Sequence, residues 1–353
     1  MTHTKSKFWN SRSFLTGLFL IGISLLVVIA TEIYAPFNPY FERIIIQLGI
    51  NIILVVALNL SNGFTGVFSL GHVGFMAIGA YVSSILTLSL STKATNLPDL
   101  PGWLSHVQLS FIPALLIAGL IAAGIAFLIG IPLMRLSGHY VSVATLGFLV
   151  IVHVVLINWT QFTRGARTFS GVSQYTNIWW VYIWIVITIY LVWRVIHSNY
   201  GRAMIAARED VIAAQSNGIN ILSARNLAFV LSAFLTAVGG GLMAHYLTSF
   251  SPATFYFTAT FNYIIMLVVG GLGSVSGSII GTTLVTILSE FFRNAELGVQ
   301  IGSIKIPAVY GLSQIVLSIS FILIVIFRRK GIMGDHEINF SWLHRNKSQP
   351  TQS

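Results

Sequence analysis

Residues 111–133 read FIPALLIAGLIAAGIAFLIGIPL, a run without a single charged side chain. A helix of that length rises about 34 Å, which is enough to cross the roughly 30 Å hydrocarbon core of a bilayer. Inside lipid the backbone polar groups must bond within the segment, and a helix achieves this. The run therefore predicts a membrane-spanning helix.

The rest of the chain has the same character. Its 353 residues are 55% hydrophobic and 8% charged, with a mean hydropathy of +0.84, whereas charged residues make up about a quarter of a soluble domain. We predict an all-α fold, a polytopic transmembrane helical bundle with about ten membrane segments and too little remaining length for a separate soluble catalytic domain. The ten predicted segments are 14–30, 44–60, 68–90, 111–133, 140–159, 178–196, 224–246, 257–269, 275–291 and 308–327.

Segments 257–269 and 275–291 are short and share a glycine-rich joint. They could be two spans, one broken helix or a re-entrant pair. Two spans give an even total, and we prefer that count because it places the basic run at 328–330 in the cytoplasm.

The formal charge of +10 reflects topology more than a nucleic-acid partner. With both termini in the cytoplasm, most Lys and Arg residues are inside, as the positive-inside rule requires. The predicted inner set is Lys5, Lys7, Arg12, Arg135, Arg194, Arg202, Arg208, Arg225, Arg328, Arg329, Lys330, Arg345 and Lys347. The smaller predicted outer set is Arg43, Lys93, Arg164, Arg167, Arg293 and Lys305.

This topology predicts three regions. Residues 1–13 form a cytoplasmic N-terminal segment, 14–327 a transmembrane permease domain with a cytoplasmic loop at 198–222, and 328–353 a cytoplasmic C-terminal tail. The first apolar run has no clear cleavage site after it, and we interpret it as a retained span. Residues 91–110 predict an external interfacial loop, and the polar tail from residue 331 is expected to be poorly ordered.

The spans lack the charged groups that ion-coupled transporters usually bury. His72, His153 and His245 are the titratable candidates inside them, and a lone histidine is more often a structural group than a proton carrier. The chain has no cysteine and no phosphate-binding loop of the GxxxxGK[ST] type. We therefore predict no cofactor, no metal and no catalytic residue. Either another protein supplies the energy for transport, or this chain is a passive channel.

The charged segment from 198 to 218 predicts one short cytoplasmic helix. Ser198 or Asn199 can cap its start, and Gly218 suits a left-handed stop. Helical spacing gives it two narrow faces of small residues, so that another surface can approach closely. One face is Met204, Ala207, Val211, Ala214 and Gly218; the other is Arg202, Ala206, Glu209 and Ala213. The helix could equally fold back on its own bundle or on the membrane surface.

The run GRAMIAAREDVIAAQSNGIN at 201–220 resembles the cytoplasmic coupling loop of the branched-chain amino acid ABC transporter permeases, in particular the LivM-type subunit. Its Ala213-Ala214-x-x-x-Gly218 core is similar to the element with which importer permeases dock on their ATPases. Three further stretches resemble that family: the SLGH segment within 62–81, the RLSGHY to TLGF run at 135–148, and the GGLGSVSG joint at 270–281. Together they cover most of the chain from residue 44 to 327.

Two stretches depart from the family pattern. His139 stands where an acid is expected, and residues 163–171 replace a loop that is usually rich in Asn, Gly and Pro. Both departures bear on the substrate more than on the family, because one lies at the predicted cytoplasmic edge and the other on the outer face.

The resemblance implies a transport subunit of the bacterial inner (plasma) membrane and not an enzyme. Its implied partners are a second, LivH-like permease, two cytoplasmic ABC ATPase subunits and an extracytoplasmic solute-binding protein, in addition to membrane lipid. The implied ATPase-coupling residues are Gly201, Arg202, Ala206, Arg208, Glu209, Asp210, Ala213, Ala214 and Gly218.

An imported amino acid is a zwitterion, and desolvating both of its charges in hydrocarbon is costly. Its path therefore needs hydroxyls, amides and free helix ends that bind weakly. The same residues are also suited to holding helices together. By type and depth the path candidates are Asn59, Asn62, Thr65, Ser69, His72, Thr145, Asn262 and Ser274.

Three alternatives remain open on the sequence. Permeases of the same family carry urea or short amides. The chain could also be a stand-alone secondary transporter or channel, and, least favoured, a membrane protein that transports nothing.

Overall fold

The structure is a computed structural model that describes residues 25–26, 28–33, 38–296, 300–301, 304–305, 311–328, 331–334 and 337. The predicted N-terminal segment 1–13, most of the first span at 14–30 and the tail beyond 337 lie outside the described residues. So do seven of the predicted cytoplasmic cations, namely Lys5, Lys7, Arg12, Arg329, Lys330, Arg345 and Lys347.

The described chain is built of helices, as predicted, apart from one short antiparallel strand pair and one 3-10 turn at Pro252–Phe255. In the strand pair, β1 and β2, Gln300 pairs with Lys305 and Ile301 with Ile304. The elements are α1 Pro39–Asn62, α2 His72–Thr87, α3 Leu90–Asn96, α4 Gly102–Ser105, α5 Phe111–Leu133, α6 His139–Asn158, α7 Thr160–Thr163, α8 Ile178–Ile196, α9 Asn199–Glu209, α10 Val211–Ser216, α11 Ile221–Leu247, α12 Phe257–Gly270, α13 Val275–Glu296, β1 Gln300–Ile301, β2 Ile304–Lys305 and α14 Leu312–Phe327.

Seven helices among the described residues are long and apolar enough to cross a membrane. They correspond to seven of the predicted segments, and the predicted bounds 111–133 and 178–196 are confirmed to the residue. The predicted segment 68–90 is instead the 16-residue helix α2, which turns by 118° into α3. Since α14 is also 16 residues long, the count of ten stays a prediction.

Two helices, α1 and α11, form the centre of the bundle. In each, 78% of the most apolar stretch is buried, against 28% for α6 and α8 at the periphery. The short helix α2 packs against α11 with backbones in contact: a Cβ on Gly79 would lie 2.0 Å from the carbonyl oxygen of Ala237. Small residues allow helices to approach this closely.

The predicted pair at 257–269 and 275–291 forms an antiparallel hairpin of two separate helices, α12 and α13. A Cβ on Gly281 would lie 2.4 Å from the Cα of Gly270, and one on Gly277 would lie 2.8 Å from the carbonyl oxygen of Gly270. The joint between the helices turns at Gly271 and Gly273, whose φ values are 122° and 86°. Those angles favour glycine, and the joint is therefore sharp enough to bring the helices back to back.

The connecting segments meet in two groups at opposite ends of the helices. One group joins the segments after α1, α5, α8 and α12, and the other joins the regions around α3, α7 and the 3-10 turn. Backbone hydrogen bonds between Phe169 and Phe250 hold the second group. This is the grouping that alternating crossings produce.

Two predicted loops have more structure than the sequence suggested. The interfacial loop at 91–110 contains α3 and α4, and the Lys93 side chain is only 1% exposed because its Nζ donates to the carbonyl oxygens of Leu104, at 3.1 Å, and Val107. Burial lowers the pKa of the Lys93 ammonium, which lies outside the seven spans. Of the tail that was expected to be poorly ordered, residues 331–334 form a turn against the α12–α13 joint.

Candidate functional site

The segment predicted as one cytoplasmic helix is two helices, α9 and α10, and this corrects the prediction. Asp210 separates them with extended backbone, at φ −151° and ψ 110°. Its Oδ1 accepts hydrogen bonds from Ile212 N at 2.8 Å and Ala213 N at 3.0 Å, and so it caps the second helix. Ser198 caps the first helix and Gly218 ends the segment at φ 78°, as predicted.

The break changes which side chains share a face. Met204, Ala207 and Ala214 are buried against the bundle, as one predicted face requires. Val211 belongs to that face in a continuous helix, but it is 37% exposed because Asp210 interrupts the helical register. On the outer side Ile212 is 77% exposed, so the pair of helices presents apolar surface away from its own bundle.

The remaining predicted coupling residues divide in the same way. Gly201 is buried, and a Cβ there would lie 2.1 Å from the carbonyl oxygen of Ile196, so this glycine allows the turn out of α8. Ala206 is half-buried. The exposed members are Arg202, Glu209, Asp210, Ala213 and Gly218.

Arg208 connects these helices to the bundle. Its Nη1 donates to the carbonyl oxygen of Gly63 at 3.0 Å, while Nε and Nη2 donate to Glu209 Oε1. Its side chain also lies against Gly66, where a Cβ would meet Arg208 Cγ at 2.8 Å. Arg208 thus contacts the glycine-rich loop 63–71, which joins α1 to α2.

That loop is held by polar residues that were predicted to line a path. The amide of Asn62 closes it, since Nδ2 donates to Ser69 O at 3.1 Å and Oδ1 accepts from Ser69 N at 3.0 Å. Thr145 of α6 accepts from Leu70 N at 3.0 Å. All three polar residues are buried, and they fix the loop to two helices.

His72 begins α2 and extends the same network into the bundle. Its Nδ1 is 3.0 Å from Ser69 Oγ, and its Nε2 is 2.5 Å from Ser232 Oγ on α11. His245 is similarly bonded on both nitrogens, to Thr87 Oγ1 and Gly241 O at 2.8 Å each. Both histidines therefore hold helices together in this conformation.

A second network forms at the α12–α13 joint. Asn59 is buried in α1, where its Nδ2 donates to Ser274 O at 2.8 Å and Ser278 Oγ at 2.7 Å. Its Oδ1 accepts from Gly273 N at 2.9 Å. Asn59 and Ser274, predicted separately as path residues, are thus direct partners.

Two of the predicted path residues stand apart from both networks. Thr65 donates to Ser61 O at 2.5 Å within its own turn. Asn262 lies on α12, and its Oδ1 is buried with no hydrogen-bond partner among the described residues. His153 resembles it, since its Nδ1 has no partner within the same ranges while its ring stacks on Tyr256 at 3.8 Å.

A narrow cavity lies beside the first network, between α1, α2, α11 and α12. Its walls are mostly aliphatic, and it has room for about one water molecule. Within the described part of the chain, the buried Thr236 Oγ1 has no hydrogen-bond partner. The polar residues that line the cavity are Ser69, His72, Thr236, Thr260 and Tyr263.

Sequence reasoning missed Ser232 and Ser278 in these networks and Thr236 in the cavity wall. Each is a small hydroxyl in an apolar span, a type that is common in spanning helices and carries little signal by itself. His72 and Ser232 are 160 residues apart in sequence, so no local pattern could predict their contact. Among the residues described, no three His, Asp or Glu side chains are grouped to hold a metal.

Comparison with known proteins bears directly on this fold. Residues 40–326 match the model of the family described as branched-chain amino acid transport system / permease component. The chain belongs to this family. The match covers all seven span helices, α9 and α10, and the resemblance predicted from four sequence motifs is therefore confirmed.

Relatives in the family agree with its description. The high-affinity branched-chain amino acid transport system permease protein LivM of Escherichia coli is 29% identical over 279 residues, which are 69% of this chain and 62% of that protein. The LivH permease protein of the same system and organism is 24% identical, covering 81% of this chain and 92% of its own. The ribose import permease protein RbsC of Haemophilus influenzae is 26% identical, with coverage of 81% and 88%.

The match therefore spans less than two thirds of the LivM protein's length. No solved structure matches this chain. The family description concerns a permease component, a transport part and not an enzyme.

Proposed function

We propose that this chain is the permease subunit of an ATP-binding cassette importer that moves branched-chain or related small amino acids across the bacterial inner membrane. A separate ATPase subunit drives it. The observation that carries the proposal is the direct bond from Arg208, on the exposed helix pair α9–α10, to Gly63 in the loop beside the buried polar network. Through this bond, a movement of α9–α10 outside the bundle is transmitted to the loop 63–71 inside it.

The exposed side of α9–α10 supports docking of a partner. Tyr200 is 65% exposed and Ile212 is 77% exposed, on helices that are too short and too polar to cross the bilayer. Exposed apolar side chains beside charged Arg202 and Glu209 are suited to a protein groove. The coupling role of the nine residues between 201 and 218 rests on this surface and on the family.

The loop 63–71 supports transmission to a path. Arg208 holds Gly63 and contacts Gly66, and the same loop carries Ser69, which lines the cavity. A shift of α9 therefore displaces the loop, and the displaced loop moves the cavity wall. Closure of the ATPase pair would in this way switch the access of the path from one side to the other.

Asn59, Asn62, Thr65, Ser69, His72, Thr145 and Ser274 are bonded within the chain in this conformation. We propose that a second state of the cycle exposes several of them, and that Asn262 and Thr236 offer polar groups to a passing zwitterion. Hydroxyls and amides bind such a solute weakly, which favours its release.

The assembly and orientation belong to the same proposal. The partners are a LivH-like second permease, two cytoplasmic ABC ATPases and an extracytoplasmic solute-binding protein. The chain crosses the membrane ten times with both termini in the cytoplasm: residues 1–13 and 328–353 are cytoplasmic, 14–327 form the permease domain, and 198–222 form the coupling loop. Support comes from the cation distribution and from the grouping of the loops at two ends.

Purification and uptake test the proposal together. Tagged protein should bring down an ATPase subunit, and vesicles with the cognate binding protein should accumulate leucine, isoleucine or valine only with internal ATP. A protonophore at constant ATP should leave uptake unchanged. Accumulation by the chain alone in nucleotide-free vesicles would refute the proposal, whereas preference for urea, a short amide or ribose would change only the substrate.

A further inference from the structure

The described part of the C-terminal tail, residues 331–334 and 337, lies on the α12–α13 joint and is called the C-terminal segment below. Ile332 N donates to Val269 O at 2.9 Å, and Met333 N donates to Gly270 O at 3.1 Å. Gly331 lets the segment approach at φ 76°, because a Cβ there would lie 2.6 Å from Val268 O. The segment is thus bonded to the last carbonyl groups of α12.

Glu337 fastens the segment to the other side of the joint. Its Oε1 accepts from Val275 N at 2.6 Å, and its Oε2 accepts from Ser276 N at 3.0 Å and Ser276 Oγ at 2.6 Å. These are the first backbone N–H groups of α13, which have no partner inside the helix. A carboxylate is favoured there because the helix dipole places partial positive charge at that end.

The joint is therefore held from two directions. From inside the bundle, buried Asn59 binds Gly273, Ser274 and Ser278. From outside, Glu337 binds the start of α13 in an exposed position. The exposed attachment can open without unpacking the core, whereas the buried one cannot.

The same joint is connected to the helix pair α9–α10. Asn59 lies one helical turn before Gly63, the residue that accepts the bond from Arg208. A displacement that begins at Arg208 reaches Gly63, then Asn59, and then the joint. The C-terminal segment is attached at the far end of this chain of contacts.

We propose that Glu337 is a positioning residue of the transport cycle, which latches the C-terminal segment to the α12–α13 joint and holds the hairpin in the conformation of this structure. This inference rests on the proposed function. The glycines at 271 and 273 act as the hinge, and the latch opens when the hairpin moves. A contact made in one of two states biases the equilibrium toward that state.

A cross-link tests whether the latch must open. Because the chain has no cysteine, Ser276→Cys and Glu337→Cys can be joined by a short cleavable thiol reagent in otherwise native sequence. In vesicles holding the whole complex, the cross-linked protein should import at below about a tenth of the wild-type rate, since a protein locked in one state cannot cycle. Cleaving the linker should restore uptake, and each single-cysteine variant, treated identically, serves as the control.

The variant Glu337→Gln gives a second readout that does not need a cross-link. Loss of the carboxylate should raise ATP hydrolysis without substrate by about two- to fivefold, the factor expected from one charge at a helix N-terminus. Thermal stability of the detergent-solubilised complex should change little, because Glu337 is exposed. A fall in stability with unchanged basal hydrolysis would assign Glu337 a structural role alone and overturn the inference.

The outcomes separate this inference from the proposed function. Failure of the wild-type complex to import with ATP would refute the proposed function. Wild-type import together with normal import by fully cross-linked protein would refute the latch alone. So would a failure of the two cysteines of the double variant to cross-link in membranes that hold the whole complex.

Discussion

Arg208 and Gly63 are 145 residues apart in sequence, yet the guanidinium Nη1 lies 3.0 Å from the Gly63 carbonyl oxygen. The arginine side chain is 24% exposed, so the bond is partly shielded from water. It joins a helix outside the membrane spans to the loop that carries the Ser69 and His72 network.

We expect Arg208→Ala to weaken the coupling between ATP hydrolysis and uptake while the ATPase subunits stay bound to the permease. A hydrogen bond to a charged group contributes about 1.5–3 kcal/mol, so uptake should fall by about tenfold or more. Uptake and ATPase co-purification, measured on the same preparation, check this. Arg135→Ala is the matched control, because Arg135 is exposed at the same end of the bundle and is not one of the nine coupling residues; equal loss in both variants would contradict a specific role for Arg208.

The glycine contact within the hairpin predicts a stability effect. Gly281→Ala should destabilise the protein by about 1–3 kcal/mol or prevent folding, since the new Cβ would lie 2.4 Å from the Cα of Gly270. Thermal unfolding in detergent measures the change. Gly124→Ala, in a helix where a Cβ meets nothing within 4 Å, should be neutral or slightly stabilising.

The His72 network predicts a coupled loss. Ser232→Ala removes the partner of Nε2 and leaves a buried ring nitrogen unpaired, at a cost of about 1–3 kcal/mol. His72→Leu should cost less when Ser232 is already Ala, and a double-mutant cycle on thermal stability measures that difference. Ser223→Ala, at the exposed start of the same helix, should change nothing; additive effects at His72 and Ser232 would argue against the bond.

The buried lysine of α3 predicts a stability effect at the opposite end of the bundle. Lys93→Met keeps the apolar stem but leaves the carbonyl groups of Leu104 and Val107 without their donor. The protein should lose about 1–3 kcal/mol of stability. Arg167→Met, at an exposed position of the same end, should leave the melting temperature unchanged, and an equal shift in both variants would show a general charge effect.

Local patterns were sufficient for most helices. The bounds of α5 and α8 follow from continuous apolar runs, and the caps at Ser198 and Gly218 follow from side-chain chemistry at helix ends. The break at Asp210 was missed because the segment contains no proline and its two glycines, Gly201 and Gly218, lie near its ends. Asp210 ends one helix by capping the next, a choice that depends on how Met204 and Ala214 pack.

For the path candidates, local patterns predicted the residues but not the contacts between them. The sequence selected Asn59 and Ser274 by residue type and depth, but their mutual bond depends on the hairpin that brings residues 215 apart together. The tail from residue 331 was expected to be poorly ordered because most of its residues are polar. Glu337 is bonded there because the start of α13 presents backbone N–H groups, those of Val275 and Ser276, that have no partner inside the helix.

The amino-acid order alone determined that this chain is an all-helical membrane protein of the branched-chain amino acid permease family, because hydropathy and short motifs are local properties that survive without knowledge of contacts. Tertiary structure alone decided that Arg208 contacts Gly63, that Asn59 binds the α12–α13 joint, and that Glu337 closes over it. Those bonds join residues that are distant along the chain, and their geometry exists only after helix packing has placed them together.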